Sequence, residues 1–99
     1  MATTITWTNE AEYWLKDIFD YIATDNPTAA ANVIHGIYKK VQLLENSPQL
    51  GYQYNHESSK KIRILLYGHY RITYLVKEKE NIVILGVFHG ALDIDKYLL

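Results

Sequence analysis

The chain has 99 residues, enough for one domain spanning 1–99. It is 48% hydrophobic and 13% aromatic with only two prolines and five glycines, a composition that builds a core and excludes a disordered polymer. With no cysteine it has neither a disulfide framework nor a thiolate metal centre, and no apolar run is long enough to span a membrane. The formal net charge of −1 conceals an asymmetry: residues 1–38 carry five acids against Lys16 alone, whereas residues 39–79 carry eight basic residues against three acids. A basic second half suits an anionic partner such as nucleic acid or an acidic peptide, and it equally suits an ordinary solvated surface.

Met1 to Ile5 lacks the basic region and long apolar run of a secretory signal, so a cytoplasmic protein without membrane contact is expected. Ile5-Thr6-Trp7 is a short candidate strand. Asn9 followed by Glu12 predicts a capping box at a helix start. Ala11, Trp14, Leu15, Ile18 and Ile22 then recur at helical spacing, and the helix should end near Thr24. Asp25 or Asn26 caps a second helix with Pro27 in its first turn, where a missing amide hydrogen costs nothing. Its apolar stripe is Ala30, Val33, Ile34, Ile37, Val41 and Leu44, and Ser47-Pro48 closes it. So short a link predicts an antiparallel helix hairpin.

A polar loop from Gln49 to Ser59 follows, then a strand over 62–67 and a tight turn at Gly68-His69. In the next run Tyr70, Ile72, Tyr74 and Val76 share one face, and Arg71, Thr73 and Leu75 share the other. A longer turn over 77–81 leads to Ile82–His89, which is apolar on both faces, with Val83, Leu85 and Val87 expected opposite Ile82, Ile84 and Phe88. Ile94–Leu99 is expected as a short C-terminal helix or tail. The fold is therefore expected to be α+β: an N-terminal strand and an antiparallel two-helix hairpin on one face of a small, mainly antiparallel sheet, in the order β-α-α-β-β-β. Two helices cover only one sheet face, so the second face is expected to be shielded by the first helix's neighbours, by the C-terminal tail or by another protein, and apolar area exposed there suits a partner.

Several polar side chains are candidates for function. Arg71 stands on a strand opposite the core. It suits a phosphate or an acidic patch on a target, and it suits equally well an internal pairing with Glu78 or Glu57. Lys60, Lys61 and Arg63 are candidates to line the same anionic site, Arg63 sharing a face with Leu65 and placed near Arg71 across the hairpin. They also suit an edge-strand charge cluster that blocks aggregation. His89, at a strand end beside Gly90, suits a general acid or base and also a hydrogen-bonded structural role. His35, His56 and His69 show no ligand spacing with one another or with paired carboxylates, so neither metal nor cofactor is assigned. Tyr52 and Tyr54 lie in a polar loop as contact residues or as a fold-back onto the sheet. Trp7, Trp14 and the tyrosine stripes are read as core.

Taken in order, several segments resemble the RelE/ParE superfamily of bacterial toxins, the toxic halves of type II toxin–antitoxin modules. They are Ile5-Thr6-Trp7, Asp20-Tyr21-Ile22, Asp25-Asn26-Pro27-Thr28-Ala29-Ala30 and Ser47-Pro48-Gln49-Leu50-Gly51, then Gly68-His69-Tyr70-Arg71-Ile72-Thr73-Tyr74 and Val87-Phe88-His89-Gly90-Ala91. The resemblance implies a growth-inhibiting toxin of the plasmid-stabilisation type, neutralised by a cognate antitoxin and touching operator DNA only through that antitoxin. It leaves two targets. ParE-like members poison DNA gyrase, and RelE-like members cut mRNA on the ribosome. His89-Gly90-Ala91 is similar to the strand end of the ParE-like branch. Gly90-Ala91-Leu92 stands where the cutting branch places an arginine, a departure that weakens the nuclease reading. Arg71 matches a strand arginine of both branches, and Tyr97 matches a C-terminal tyrosine of the cutting one. The implied function is a gyrase-directed toxin that is not itself an enzyme. The alternatives are a ribosome-dependent mRNA endoribonuclease, with Arg71, His89, Lys60, Lys61 and Tyr97 as its catalytic candidates, and a decayed toxin that only binds its antitoxin.

Overall fold

The protein is described from a computed structural model, over residues 3–54, 61–78 and 81–89. Strand β1 (Thr4–Trp7) leads into helix α1 (Asn9–Ala23). The helix starts one residue earlier than the capping box predicts. Thr8 is the N-cap: its hydroxyl oxygen accepts from the Ala11 amide at 3.0 Å and donates to the Ile84 carbonyl at 3.0 Å. One side chain thus caps the helix and ties it to the sheet, a tertiary bond that Asn9 has no means of making from inside the first turn.

Helix α2 (Pro27–Gln42) begins as expected, with the Asn26 side chain accepting from the Ala29 amide at 3.0 Å and Pro27 in the first turn. A 3-10 turn, Leu43–Glu45, finishes it. Ala30, Ile37, Val41 and Leu44 are buried, and Val33 and Ile34 pack against the same core, so the predicted stripe is the packed one.

The remaining strands are β2 (Tyr52–Gln53), β3 (Ile62–Tyr67), β4 (Tyr70–Lys77) and β5 (Asn81–His89). The two-residue β2 falls inside the expected polar loop. The sheet order is β1-β5-β4-β3-β2, with β1 parallel to β5 and every other pair antiparallel. The architecture is the expected α+β one, two helices packed on a mixed sheet. Gly68, with φ 58°, forms the tight turn between β3 and β4.

Tyr70, Ile72, Tyr74 and Val76 of β4 belong to the helix-covered core, as their alternation predicts. In β5 the phase differs from expectation. Tyr74 pairs with Ile84 and Thr73 with Gly86, which leaves Leu85 as an extra residue, a β-bulge. Ile82, Ile84 and Val87 therefore join the helix-side core, while Gly86 and Phe88 align with Thr73 and Arg71 on the other face. The Phe88 ring folds back over Gly86, where a Cβ would lie 2.6 Å from its Cζ atom, so a larger residue there would have to displace the buried ring.

The second sheet face is shielded in part from within the chain, the first of the expected alternatives. Its centre is not open: Ile64, Thr73 and Phe88 are all buried, with Tyr54 and Trp14 packed against Ile64 and Phe88. Leu66 and Tyr52, each half exposed, are large side chains left outside on that face. Among the described residues, the most exposed aromatic side chains lie on α1, at Tyr13 and Tyr21.

A polar strap crosses the far end of β4. The buried Tyr74 hydroxyl accepts from the Gly51 amide and donates to the Pro48 carbonyl, each at 2.8 Å. Burial raises the Tyr74 pKa above the ordinary phenol value, against the lowering effects of the Gly51 bond and of Arg63. The unfolded chain ionises first as pH rises, because its pKa is the lower one, so stability is lost above about pH 10. Tyr74→Phe strands the Gly51 amide and should cost about 1–3 kcal/mol at neutral pH. It should also remove this residue's share of the alkaline loss. Denaturation curves at neutral and alkaline pH on both forms check the two effects, and equal stabilities at neutral pH would contradict the first.

Candidate target-binding site

The register of the sheet sorts the candidate residues. Arg71 lies opposite Leu66 of β3 and opposite Phe88 of β5, on the face away from the helices. It is half-buried and, among the described residues, forms no ion pair, with Glu78 or any other acid. Its guanidinium is held on a central strand beside an exposed leucine, an arrangement that can present bidentate donors to a carboxylate or phosphate.

Arg63 is not beside it. Arg63 lies opposite Tyr74, on the helix-side face with Leu65. Its Nη1 donates to the Gln49 carbonyl at 3.2 Å and to the Gly51 carbonyl at 2.6 Å. This arginine pins the same strap as Tyr74.

Lys61 is exposed and precedes β3, where it borders a surface depression with Val76, Lys77, Glu78 and Asn81. Since Leu66 is the partner of Arg71, five residues of strand separate Lys61 from that register, about 17 Å at the usual strand rise. Lys60, Glu57 and Tyr97 lie outside the described residues, as does the expected C-terminal helix.

His89 pairs with Tyr70, whose ring packs on the helix-side core. Its ring lies 5.9 Å from that of Tyr70 and 6.2 Å from that of His69. Arg71 pairs with Phe88, one residue earlier, so Arg71 and His89 project from opposite faces of the sheet. General acid–base work on a phosphate needs the base and the charge-stabilising cation at one reacting group, within hydrogen-bond reach. This register separates the two.

On the helix side, Trp14, Asp17, Ile18 and Tyr21 of α1 face Tyr70, Val87 and His89 across a groove of about 560 Å³. Trp14 and Tyr70 do pack against the core, as expected, and they also form walls of this groove, which helical spacing alone does not reveal. Trp14 is half-buried, in edge contact with Phe88 at 4.7 Å, and Tyr21 is 84% exposed. A signal was present in the pattern: Tyr21 lies off the Ala11-Leu15-Ile18-Ile22 stripe. Of the two loop tyrosines, Tyr54 packs onto Ile64 and Phe88, and Tyr52 is exposed. Among the described residues, no three His, Asp or Glu side chains gather as metal ligands, and no helix is long and apolar enough to cross a membrane.

Residues 5–94 match the family model described as the ParE toxin of the type II toxin–antitoxin system, parDE. The chain belongs to the ParE toxin family. It is thus a toxin of the RelE/ParE superfamily. No curated protein sequence matches it. Solved structures share the fold. A chain of the chromosomal ParDE toxin–antitoxin system from P. aeruginosa is 23% identical, with TM-score 0.72, over 88% of this chain and 95% of that one. The RelBE2 toxin–antitoxin complex from Mycobacterium tuberculosis provides a chain 22% identical, with TM-score 0.63, over 90% of this chain and 99% of its own length. A mutant of the E. coli toxin RelE in its free state is 15% identical, with TM-score 0.62, over 92% of this chain and 86% of that one.

Proposed function

We propose that this ParE-family toxin acts by binding DNA gyrase in the cytoplasm, without chemistry of its own, and that a cognate antitoxin holds it in check. The observation that supports this reading is the separation of Arg71 from His89 on opposite sheet faces. Arg71 serves as a recognition group for an acidic surface, and neither Arg63, which binds the strap, nor Lys61, a strand's length away, completes a phosphate site with it. The family match points the same way, as does the sequence Gly90-Ala91-Leu92 after β5, which lacks the arginine of mRNA-cutting relatives. Growth inhibition and plasmid stabilisation follow from such an activity, and contact with operator DNA runs through the antitoxin.

Induction in growing cells tests the target. Expression should trigger the DNA-damage response and filamentation, and the purified chain should leave transcripts intact in a reconstituted translation system. Ribosome-dependent cuts at codon positions would instead make the chain an endoribonuclease.

A further inference from the structure

We propose that the groove between α1 and the ends of β4 and β5 is a docking site for a protein segment that inserts an arginine or lysine side chain among apolar residues. The inference rests on the reading of this chain as a protein that works by binding other proteins, and it adds the chemistry of the segment bound.

Among the described residues, the groove has aromatic walls and one acid. Trp14 and Tyr21 rise from α1, and Tyr70 closes the opposite side beside His89. Trp14 is held by its edge contact with Phe88, so that wall is fixed before anything binds. Pairing of β1 with β5 ends at Trp7 and Ile84, and the groove opens beside the part of β5 beyond that point. Aromatic faces attract a cation in such a setting, and a nearby carboxylate fixes its position.

Asp17 supplies that carboxylate. The single lysine of α1, Lys16, is bonded to Asp20 at 3.0 Å, and among the described residues Asp17 has no ion-pair partner. Helix α1 also carries Glu10 and Glu12, so the field along it is negative. An acidic segment would meet like charge, whereas a basic-apolar one matches both the walls and the charge. Tyr21, the most exposed large hydrophobic side chain described, offers its ring to such a segment.

The test uses random dodecapeptides displayed on phage and selected against the full chain. Enriched sequences should carry arginine or lysine next to apolar residues. A synthetic copy of the leading peptide, labelled for fluorescence anisotropy, should bind about tenfold more weakly to Asp17→Asn. Replacing its basic residue by citrulline or norleucine should weaken binding to the parent chain by a similar factor and weaken binding to Asp17→Asn little further. Asp17 is exposed, so the variant should melt with the parent, and Tyr21→Ala gives a second, independent probe of the same wall. Failure to enrich basic peptides would overturn the proposal, as would unchanged affinity in both variants. A concentration-dependent dimer abolished by Tyr21→Ala would assign the groove to a second copy and overturn it as well. Gyrase takes no part in these measurements, so failure of the target reading leaves their outcome legible.

Discussion

Ile37→Ala should lower the unfolding free energy by about 2–5 kcal/mol, through lost burial and the cavity left behind. Ile37 is fully buried at the middle of α2, in the core that also holds Leu65 and Ile72. The neighbours have little room to collapse, because Val41 and Leu44 fix the same helix face. A domain of this size has a total stability of about 5–15 kcal/mol, so the change removes a large fraction of it. Urea denaturation of both forms measures the effect. A loss under about 0.5 kcal/mol would contradict the packed helix face.

Arg71→Ala should abolish growth arrest while stability changes by less than about 1 kcal/mol, as is usual for a half-buried side chain that has no ion-pair partner among the described residues. Arg71→Lys keeps the charge and loses the planar fork, so it should recover arrest only in part if bidentate contact matters. Melting temperature and growth arrest measured on each variant separate recognition from support of the fold. A folded and fully toxic Arg71→Ala would remove this residue from the site. A large fall in melting temperature would show a structural role instead.

Local chemistry with a fixed period was readable from the residues. The stripe from Ala30 to Leu44, the Asn26-Pro27 helix start and the Gly68-His69 turn each lie where their spacing places them. The two-residue turn even sets the register that puts Arg63 opposite Tyr74. What spacing does not carry is the pair of loop carbonyls, from Gln49 and Gly51, that Arg63 binds.

The bulge at Leu85 was hidden for a different reason. In a run apolar on both faces, no polar residue marks the phase, and one extra residue turns Phe88 from the face of Ile84 to that of Gly86. The early start of α1 depends on a bond from Thr8 to a strand 76 positions away. The groove beside Trp14 likewise needs the tertiary pairing of α1 with β5 before its walls meet. Thus the α+β fold and the sheet face on which Arg71 stands were legible, and the grouping of the candidate residues was not.

Gyrase, engaged by binding, is the proposed target of this toxin. The most direct measurement is DNA supercoiling by purified gyrase with the purified chain added, and with Arg71→Ala as comparison. Inhibition or trapped cleaved DNA should rise with toxin concentration and fall away with Arg71→Ala. Supercoiling unaffected at saturating amounts of a folded chain, together with cleavage of mRNA on purified ribosomes, would contradict it.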